Sequence, residues 1–120
     1  MAKAQAKILL VGDTCKVRYT SWRILDPETE RNNYSGGQES NREPLIPVSA
    51  RVRLFNFETN EEEQLGATTV YDEAVIEGNL ITYLIPADKF EEGQYMIYMQ
   101  CTYADGDIKT EKILVRAENE

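Results

Sequence analysis

Residues 93–115 read GQYMIYMQCTYADGDIKTEKILV, two stretches of strand-forming residues joined by an Asp-Gly step. In the first stretch, every second side chain is apolar or aromatic, so these side chains share one face of a strand. They are Tyr95, Ile97, Met99, Cys101 and Tyr103. The Asp105-Gly106 step is typical of a hairpin turn, because such turns need a positive φ that glycine adopts at little cost. The stretch therefore predicts a hairpin of two long antiparallel strands.

The rest of the chain repeats short alternating segments separated by turn residues. We predict further strands at residues 7–11, 14–24, 48–56, 64–72 and 80–85. The side chains expected to face inward are Cys15, Val17 and Tyr19 in the second of these strands, and Val48, Ala50, Val52 and Leu54 in the third. Gly66 indicates an edge strand or a bulge in the fourth. A turn is expected at residues 57–62 and a single helical turn at residues 86–90.

About seven strands without a long helix predict an all-β protein. We expect an immunoglobulin-like antiparallel β-sandwich with one long polar loop, in which Tyr95 suits the tyrosine-corner position. The expected division is an N-terminal arm at residues 1–6, a sandwich at residues 7–117 and a tail at residues 118–120. Residues 28–47 form the loop, and a connection this long is unusual in a compact domain. It is therefore either a binding element or a solvated connection.

The charge of the chain is unevenly distributed. The net charge is -8, yet residues 1–25 hold five basic and one acidic side chain, whereas residues 26–120 hold eight basic and twenty acidic ones. An acidic body argues against binding to a nucleic acid. The simplest explanation of the acidity is solubility. The alternative is that the basic arm docks on an acidic surface, such as that of a neighbouring copy.

No apolar run approaches the roughly 20 residues of a membrane span, so no membrane partner is expected. The apolar segment that follows the N-terminal residues is too short for the core of a signal peptide. We therefore expect a protein that is made in the cytoplasm and not secreted. In that compartment Cys15 and Cys101 are buried free thiols by default. A disulfide across the core is the alternative, since immunoglobulin-like sandwiches often carry such a pair.

The residue types argue against catalysis. Histidine is absent, which excludes Ser–His and Cys–His nucleophiles within this chain. Gly36-Gly37 lacks the lysine of a phosphate-binding loop. We expect no enzyme activity, no cofactor and no small-molecule substrate. Asp105 and Asp107, with Asp13 or Asp72, offer too few oxygens for a calcium site, and the hairpin turn accounts for the first two.

Trp22 lies toward the end of the second predicted strand, near Arg18 and Arg23. We predict that its side chain caps the core. The alternative is an exposed interface anchor of the aromatic-plus-arginine kind.

From Gly12 onward the order of features resembles the small immunoglobulin-like domain of phage virions, found in baseplate upper proteins and in head- and tail-associated proteins. The resemblance spans roughly residues 12–116. Its motifs are Gly12-Asp13-Thr14, the strand in residues 48–54, Gly78–Tyr83 with Pro86-Ala87-Asp88, Gly93-Gln94-Tyr95, Tyr103–Gly106 and the last strand in residues 109–115. The long loop at residues 28–47 departs from the compact version of this domain.

The resemblance implies a non-enzymatic structural component of a bacteriophage virion: a capsid decoration protein or a neck, tail or baseplate accessory. The expected partners are other virion proteins or copies of this chain. The expected interface residues are Lys3, Lys7, Trp22, Arg23, Tyr34 and Arg42. The rival hypothesis is a free-standing adhesion module that binds host-surface carbohydrate or protein through Trp22, Tyr34 and Tyr71. A third possibility is an assembly chaperone that is absent from the particle.

Overall fold

A computed structural model describes residues 6–24 and 42–119 of the chain. These residues form eleven β-strands and a turn of 3-10 helix, with no α-helix among them, so the all-β prediction is confirmed. The strands are β1 (Lys7–Leu10), β2 (Cys15–Thr20), β3 (Trp22–Ile24), β4 (Arg42–Pro44), β5 (Ser49–Asn56), β6 (Glu61–Glu63), β7 (Tyr71–Glu73), β8 (Val75–Glu77), β9 (Leu80–Ile85), β10 (Gly93–Thr102) and β11 (Ile108–Glu118). The 3-10 turn is Ala87–Lys89, where a single helical turn is predicted.

The larger sheet is built around the predicted hairpin. Its strand order is β1-β11-β10-β5-β6, and β7 pairs with β5 along the same edge as β6. All these pairs are antiparallel except β1 with β11, where Lys7 lies opposite Val115. Tyr98 lies opposite Lys112 on one side and Arg53 on the other. The strand β10 is therefore paired on both sides and central.

The smaller sheet has the order β2-β9-β8, and a separate ribbon pairs β3 with β4. The chain passes from the larger sheet to the smaller one at Ala74, whose N–H donates to the Ala50 carbonyl at 2.9 Å. Beside this crossing, the Tyr83 hydroxyl donates to the Asp72 carboxylate at 2.8 Å. Because Tyr83 belongs to β9 and Asp72 to β7, this hydrogen bond joins the two sheets.

Side chains from both sheets form one apolar core. It consists of Leu9, Cys15, Val17, Ala50, Val52, Leu54, Ile81, Ile85, Phe90, Tyr95, Ile97, Met99, Cys101, Tyr103, Val115 and Ala117. All five inward positions predicted for β10 are in this set. The side chain of Tyr95 is 1% exposed. Its hydroxyl accepts a hydrogen bond from the Glu91 N–H at 2.8 Å, which is the contact expected of a tyrosine corner.

The hairpin turn is a three-residue loop. The Gly106 N–H donates to the Tyr103 carbonyl, and the Tyr103 N–H donates to the Asp107 carbonyl, both at 2.9 Å. The Asp105 carboxylate accepts the Asp107 N–H at 2.9 Å. Gly106 has a φ of +88°, which places it in the left-handed region that ends this class of turn.

The strand predicted at residues 14–24 is divided in two at Ser21. This residue is fully buried, and its N–H donates to the Asn79 carbonyl while its hydroxyl shares a hydrogen bond of 2.5 Å with the Tyr103 hydroxyl. Held this way, the chain leaves the smaller sheet, and β3 pairs with β4 instead. Arg42–Pro44 belongs to the predicted loop at residues 28–47, so the last part of that prediction is wrong.

The strand predicted at residues 64–72 is wrong except at its last two residues: β6 ends before it, at Glu63, and β7 begins within it, at Tyr71. In the segment between β6 and β7, local hydrogen bonds take the place of pairing with another strand. The Gly66 N–H donates to the Thr69 carbonyl at 3.0 Å, and the Thr69 hydroxyl donates to the Tyr71 carbonyl at 2.6 Å. Val48, predicted to face inward, is 63% exposed because β5 begins only at Ser49.

Cys15 and Cys101 are both buried and free. Cys15 lies beside Ile97 and Ile113, whereas Cys101 is close to Tyr19 at the other end of β2. Tyr19 is four residues along the strand from Cys15, a distance of about 13 Å, and a disulfide needs Cα atoms within roughly 7 Å. The default of two free thiols is confirmed, and the disulfide alternative is wrong.

Replacing Gly106 with valine should lower the free energy of unfolding by about 1–3 kcal/mol, because a β-branched residue resists positive φ. No atom lies within 4 Å of the position that a Cβ would take, so the cost is conformational. Gly106→Asn is the matched control, since asparagine tolerates this region, and should cost less than about 1 kcal/mol. Urea denaturation measures both. A valine variant as stable as the wild type would contradict the turn.

The stability of the fold should fall at alkaline pH. Burial raises the pKa of six side chains: Cys15, Tyr19, Tyr83, Tyr95, Cys101 and Tyr103. The unfolded state therefore releases protons above about pH 8.5 for thiols and about pH 10 for phenols, while the folded state retains them. Fewer protons bound in the unfolded state mean that stability decreases as pH rises through this range.

Urea denaturation in the presence of a reductant at about pH 7.5 and about pH 10.5 tests this pH dependence. The Asp72 carboxylate raises the pKa of Tyr83 further, so Tyr83→Phe should make the alkaline loss smaller. Equal free energies of unfolding at the two pH values would show that the phenols and thiols are not buried as described.

Candidate functional site

The predicted interface residues are divided between separate parts of the molecule. Lys3 and Tyr34 lie outside the described residues. Lys7 is on β1, where its ammonium contacts the Lys16 carbonyl at 3.5 Å. Trp22, Arg23 and Arg42 are on the β3–β4 ribbon. Lys7 and its contact Lys16 are on β1 and β2, whereas the ribbon of β3 and β4 is a separate two-stranded sheet, so the two groups lie on different elements.

On the ribbon, two of the predicted residues, Trp22 and Arg42, come together. The Arg42 guanidinium lies 5.2 Å from the centroid of the Trp22 ring, and Arg23 forms an ion pair with Glu43. The Trp22 side chain is 37% exposed. The prediction that it caps the core is wrong, because the neighbouring Ser21 occupies the buried position and the alternation of the strand turns Trp22 outward.

A larger exposed surface, which the sequence did not predict, is the side of the larger sheet that faces away from the core. In β10 the odd-numbered residues are buried, so the even-numbered ones point to this side. The strand register then places three rows across the sheet, and we call these residues the outer face. The rows are Phe55–Met96–Leu114, Arg53–Tyr98–Lys112 and Arg51–Gln100–Thr110.

One end of the outer face is apolar. Phe55, Met96 and Leu114 are half-buried in one row. Phe57 is 44% exposed and packs edge-to-face on Phe55, with 5.2 Å between ring centroids. Ile8, on β1, is 54% exposed and points to the same side, because the adjacent Leu9 is in the core. Ile8 lies opposite Arg116, one row beyond Leu114, so β1 adds an exposed apolar side chain beside the apolar row and not within it.

The centre of the outer face consists of arginines that lie over tyrosines. The Arg53 guanidinium is 4.9 Å from the centroid of the Tyr98 ring, and that of Arg51 is 4.6 Å from the Tyr71 ring. Arg53 also donates to the Glu62 carboxylate at 2.6 Å. These contacts hold long side chains in one conformation, which lowers the entropy lost when a partner binds.

The outer face contains residue types that are common where proteins meet. Exposed aromatic residues, methionine and arginine are enriched where proteins meet, and they supply most of the binding energy in the best studied complexes. Within the part of the chain that the structure describes, no group of three or more His, Cys, Asp or Glu side chains is placed to hold a metal ion. The carboxylates of Asp72, Asp105 and Asp107 each accept a hydrogen bond within the fold.

A signal for the outer face is present in the sequence. In residues 95–99, Tyr-Met-Ile-Tyr-Met, both faces of the strand are apolar or aromatic. One face of such a strand packs in the core. A contiguous apolar patch on the other face is typical of a surface that another part of the protein or another molecule covers. Sequence alone does not supply the register that brings Phe55, Arg53 and Leu114 beside Met96 and Tyr98.

Comparisons with protein-family models, with curated proteins and with solved structures found no match to this chain. In residues 6–24 and 42–119, no helix is long and apolar enough to cross a membrane.

Two methionines on β10 test the orientation of the outer face. Met99→Glu places a carboxylate in the core and should cost more than about 3 kcal/mol or prevent folding. Met96→Glu places the same group on the outer face and should cost about 1 kcal/mol or less. Urea denaturation and circular dichroism compare them. Equal destabilisation by the two substitutions would contradict the assignment of faces.

Proposed function

We propose that the chain is a non-enzymatic, immunoglobulin-like structural component of a bacteriophage virion that binds neighbouring virion subunits through the outer face of its larger sheet. The observation that carries the binding role is the row of half-buried apolar side chains, flanked by the exposed Phe57, beside arginine-covered tyrosines. The assignment to a virion rests on the resemblance of the turn and strand motifs to the phage domain.

The strand order supports an immunoglobulin-like topology. In that fold one sheet contains the second, fifth and fourth strands of the sandwich and the other contains the third, sixth and seventh. Here β2, β9 and β8 form one sheet, while β5, β10 and β11 form the centre of the other. The parallel pairing of β1 with the last strand and the hydrogen bond of Tyr95 to the Glu91 N–H agree with this topology.

The alternative function is adhesion to host-surface carbohydrate or protein. Sugars bind by stacking on open aromatic faces, and Arg51 already lies over Tyr71 while Arg42 lies over Trp22. A sugar would have to displace these guanidinium groups. The geometry therefore favours a protein partner, which gains contacts with the arginines as well as with the rings.

Mass spectrometry of purified phage particles tests the proposal. The wild-type protein should be present at a fixed copy number. Met96→Glu, which puts a charge at the centre of the apolar row, should lower that copy number at least about 10-fold, since central interface residues carry most of the binding energy. Leu84→Glu is the matched control, because Leu84 is exposed on the smaller sheet; its copy number should equal that of the wild type.

Two results would contradict the proposal. Absence of the protein from particles would exclude a virion role and support an assembly chaperone. Incorporation of Met96→Glu at the wild-type level would remove the outer face from the attachment. Binding to host polysaccharide that is lost in Tyr71→Ala would instead support the adhesion module.

A further inference from the structure

The smaller sheet has an edge without a partner strand. Within the described residues β2 pairs only with β9, from Cys15 opposite Ile85 to Thr20 opposite Leu80. The strand that precedes β2 in the chain, β1, pairs with β11 of the other sheet. The side of β2 that faces away from β9 is therefore open in residues 6–24 and 42–119.

The backbone groups on this open edge can be identified. In an antiparallel pair, the N–H and C=O of one residue point to the same side, and successive residues alternate. Ser21 donates its N–H to Asn79, which continues the line of β9, so the odd-numbered residues of β2 face β9. The Lys7 ammonium approaches the Lys16 carbonyl from the other side. The open edge therefore presents the N–H and C=O groups of Lys16, Arg18 and Thr20.

A cleft of about 260 Å³ lies along the same edge, between β2 and the hairpin. Its floor is apolar: Val17 and Ile97 are buried, and Ile113 is half-buried. A strand added to β2 would lie about 4.8 Å from it and would point every second side chain toward this cleft. Unpaired backbone groups beside an apolar recess are the two features of a site for strand addition.

The charges around the cleft indicate which residue types an added strand should carry. Lys7, Lys16 and Arg18 line the rim, and all three are exposed. The acidic groups near them are Asp13, before β2, and Glu111, which lies close to Tyr19 at the far end. A positive rim favours acidic residues at the positions of an added strand that point away from the cleft.

Basic residues on an edge strand also prevent unwanted strand pairing. That role alone accounts for the charges but not for the apolar cleft beside them. The 3.5 Å contact from Lys7 to the Lys16 carbonyl is long for a hydrogen bond, so an incoming N–H can replace it.

We infer that the open edge of β2 accepts an extended acidic segment of another protein, with apolar residues at alternate positions, by adding it as a strand to the smaller sheet. This site is on the opposite sheet from the outer face and does not depend on the function proposed for that face.

A capped seven-residue peptide in which glutamate and valine alternate is the probe, and amide hydrogen exchange followed by NMR is the measurement. The amides of Lys16, Arg18 and Thr20 should exchange freely in the free protein and at least about 10-fold more slowly with the peptide bound, because they then donate to it. A peptide of alternating lysine and valine should bind at least about 10-fold more weakly. Unchanged exchange at these three amides, or equal binding of the two peptides, would overturn the inference.

Two substitutions at Arg18 separate the contribution of its backbone N–H to peptide binding from the contribution of its side-chain charge. Arg18→Pro removes an N–H that faces the open edge and leaves the pairing of β2 with β9 intact. It should weaken peptide binding at least about 10-fold. Arg18→Gln removes the charge alone and should weaken binding about 2- to 5-fold. Equal affinities of the proline and glutamine variants would contradict strand addition.

Circular dichroism establishes whether Arg18→Pro folds. If this variant does not fold, the amide exchange of the wild-type protein with and without peptide is the test of strand addition. Met96→Glu should bind the peptide as the wild type does. Loss of peptide binding at β2 therefore leaves the role of the outer face unaffected, and failure of particle attachment through the outer face leaves the β2 site unaffected.

Discussion

The structure depends on the pairing of β10 along both of its sides. Its ten residues, Gly93–Thr102, all lie opposite residues of β11, and eight of them also lie opposite residues of β5. A strand held on both sides cannot shift its register by one residue without moving every core side chain to the solvent side. This constraint fixes Tyr95, Ile97, Met99 and Cys101 in the core, and it fixes Met96 and Tyr98 on the opposite side.

The two faces of β10 therefore have different roles. The inner face packs against the smaller sheet and supplies much of the apolar burial that stabilises the fold. The outer face gathers arginines from β5 over tyrosines and places an apolar row beside them. The ionisable side chains with raised pKa values, such as Tyr95 and Cys101, are those removed from water. The two candidate binding regions lie on different sheets.

The hairpin, the inward positions of β10 and the 3-10 turn follow from local patterns in the sequence, since alternation and the Asp105-Gly106 step are set by neighbouring residues. The wrong sequence predictions occur where contacts with residues distant in the sequence determine the local structure. Trp22 is predicted to cap the core, but Asn79 and Tyr103 hold Ser21 in the buried position, and Trp22 lies outward on the ribbon. The Thr- and Val-containing segment around Gly66 has strand propensity, yet the local hydrogen bonds of Thr69 prevail. The outer face requires the register between β5 and β10, which no local pattern contains.

Oxidation of methionine by hydrogen peroxide, followed residue by residue with mass spectrometry, tests most directly whether β10 separates a core face from a binding face. Met96 should oxidise readily in the free protein, whereas Met99 should stay unoxidised, because a buried thioether is shielded from the oxidant. The proposed virion role further predicts that Met96 becomes protected in assembled particles. Oxidation of Met99 at the rate of Met96, or equal oxidation of Met96 in the free and assembled protein, would contradict this account.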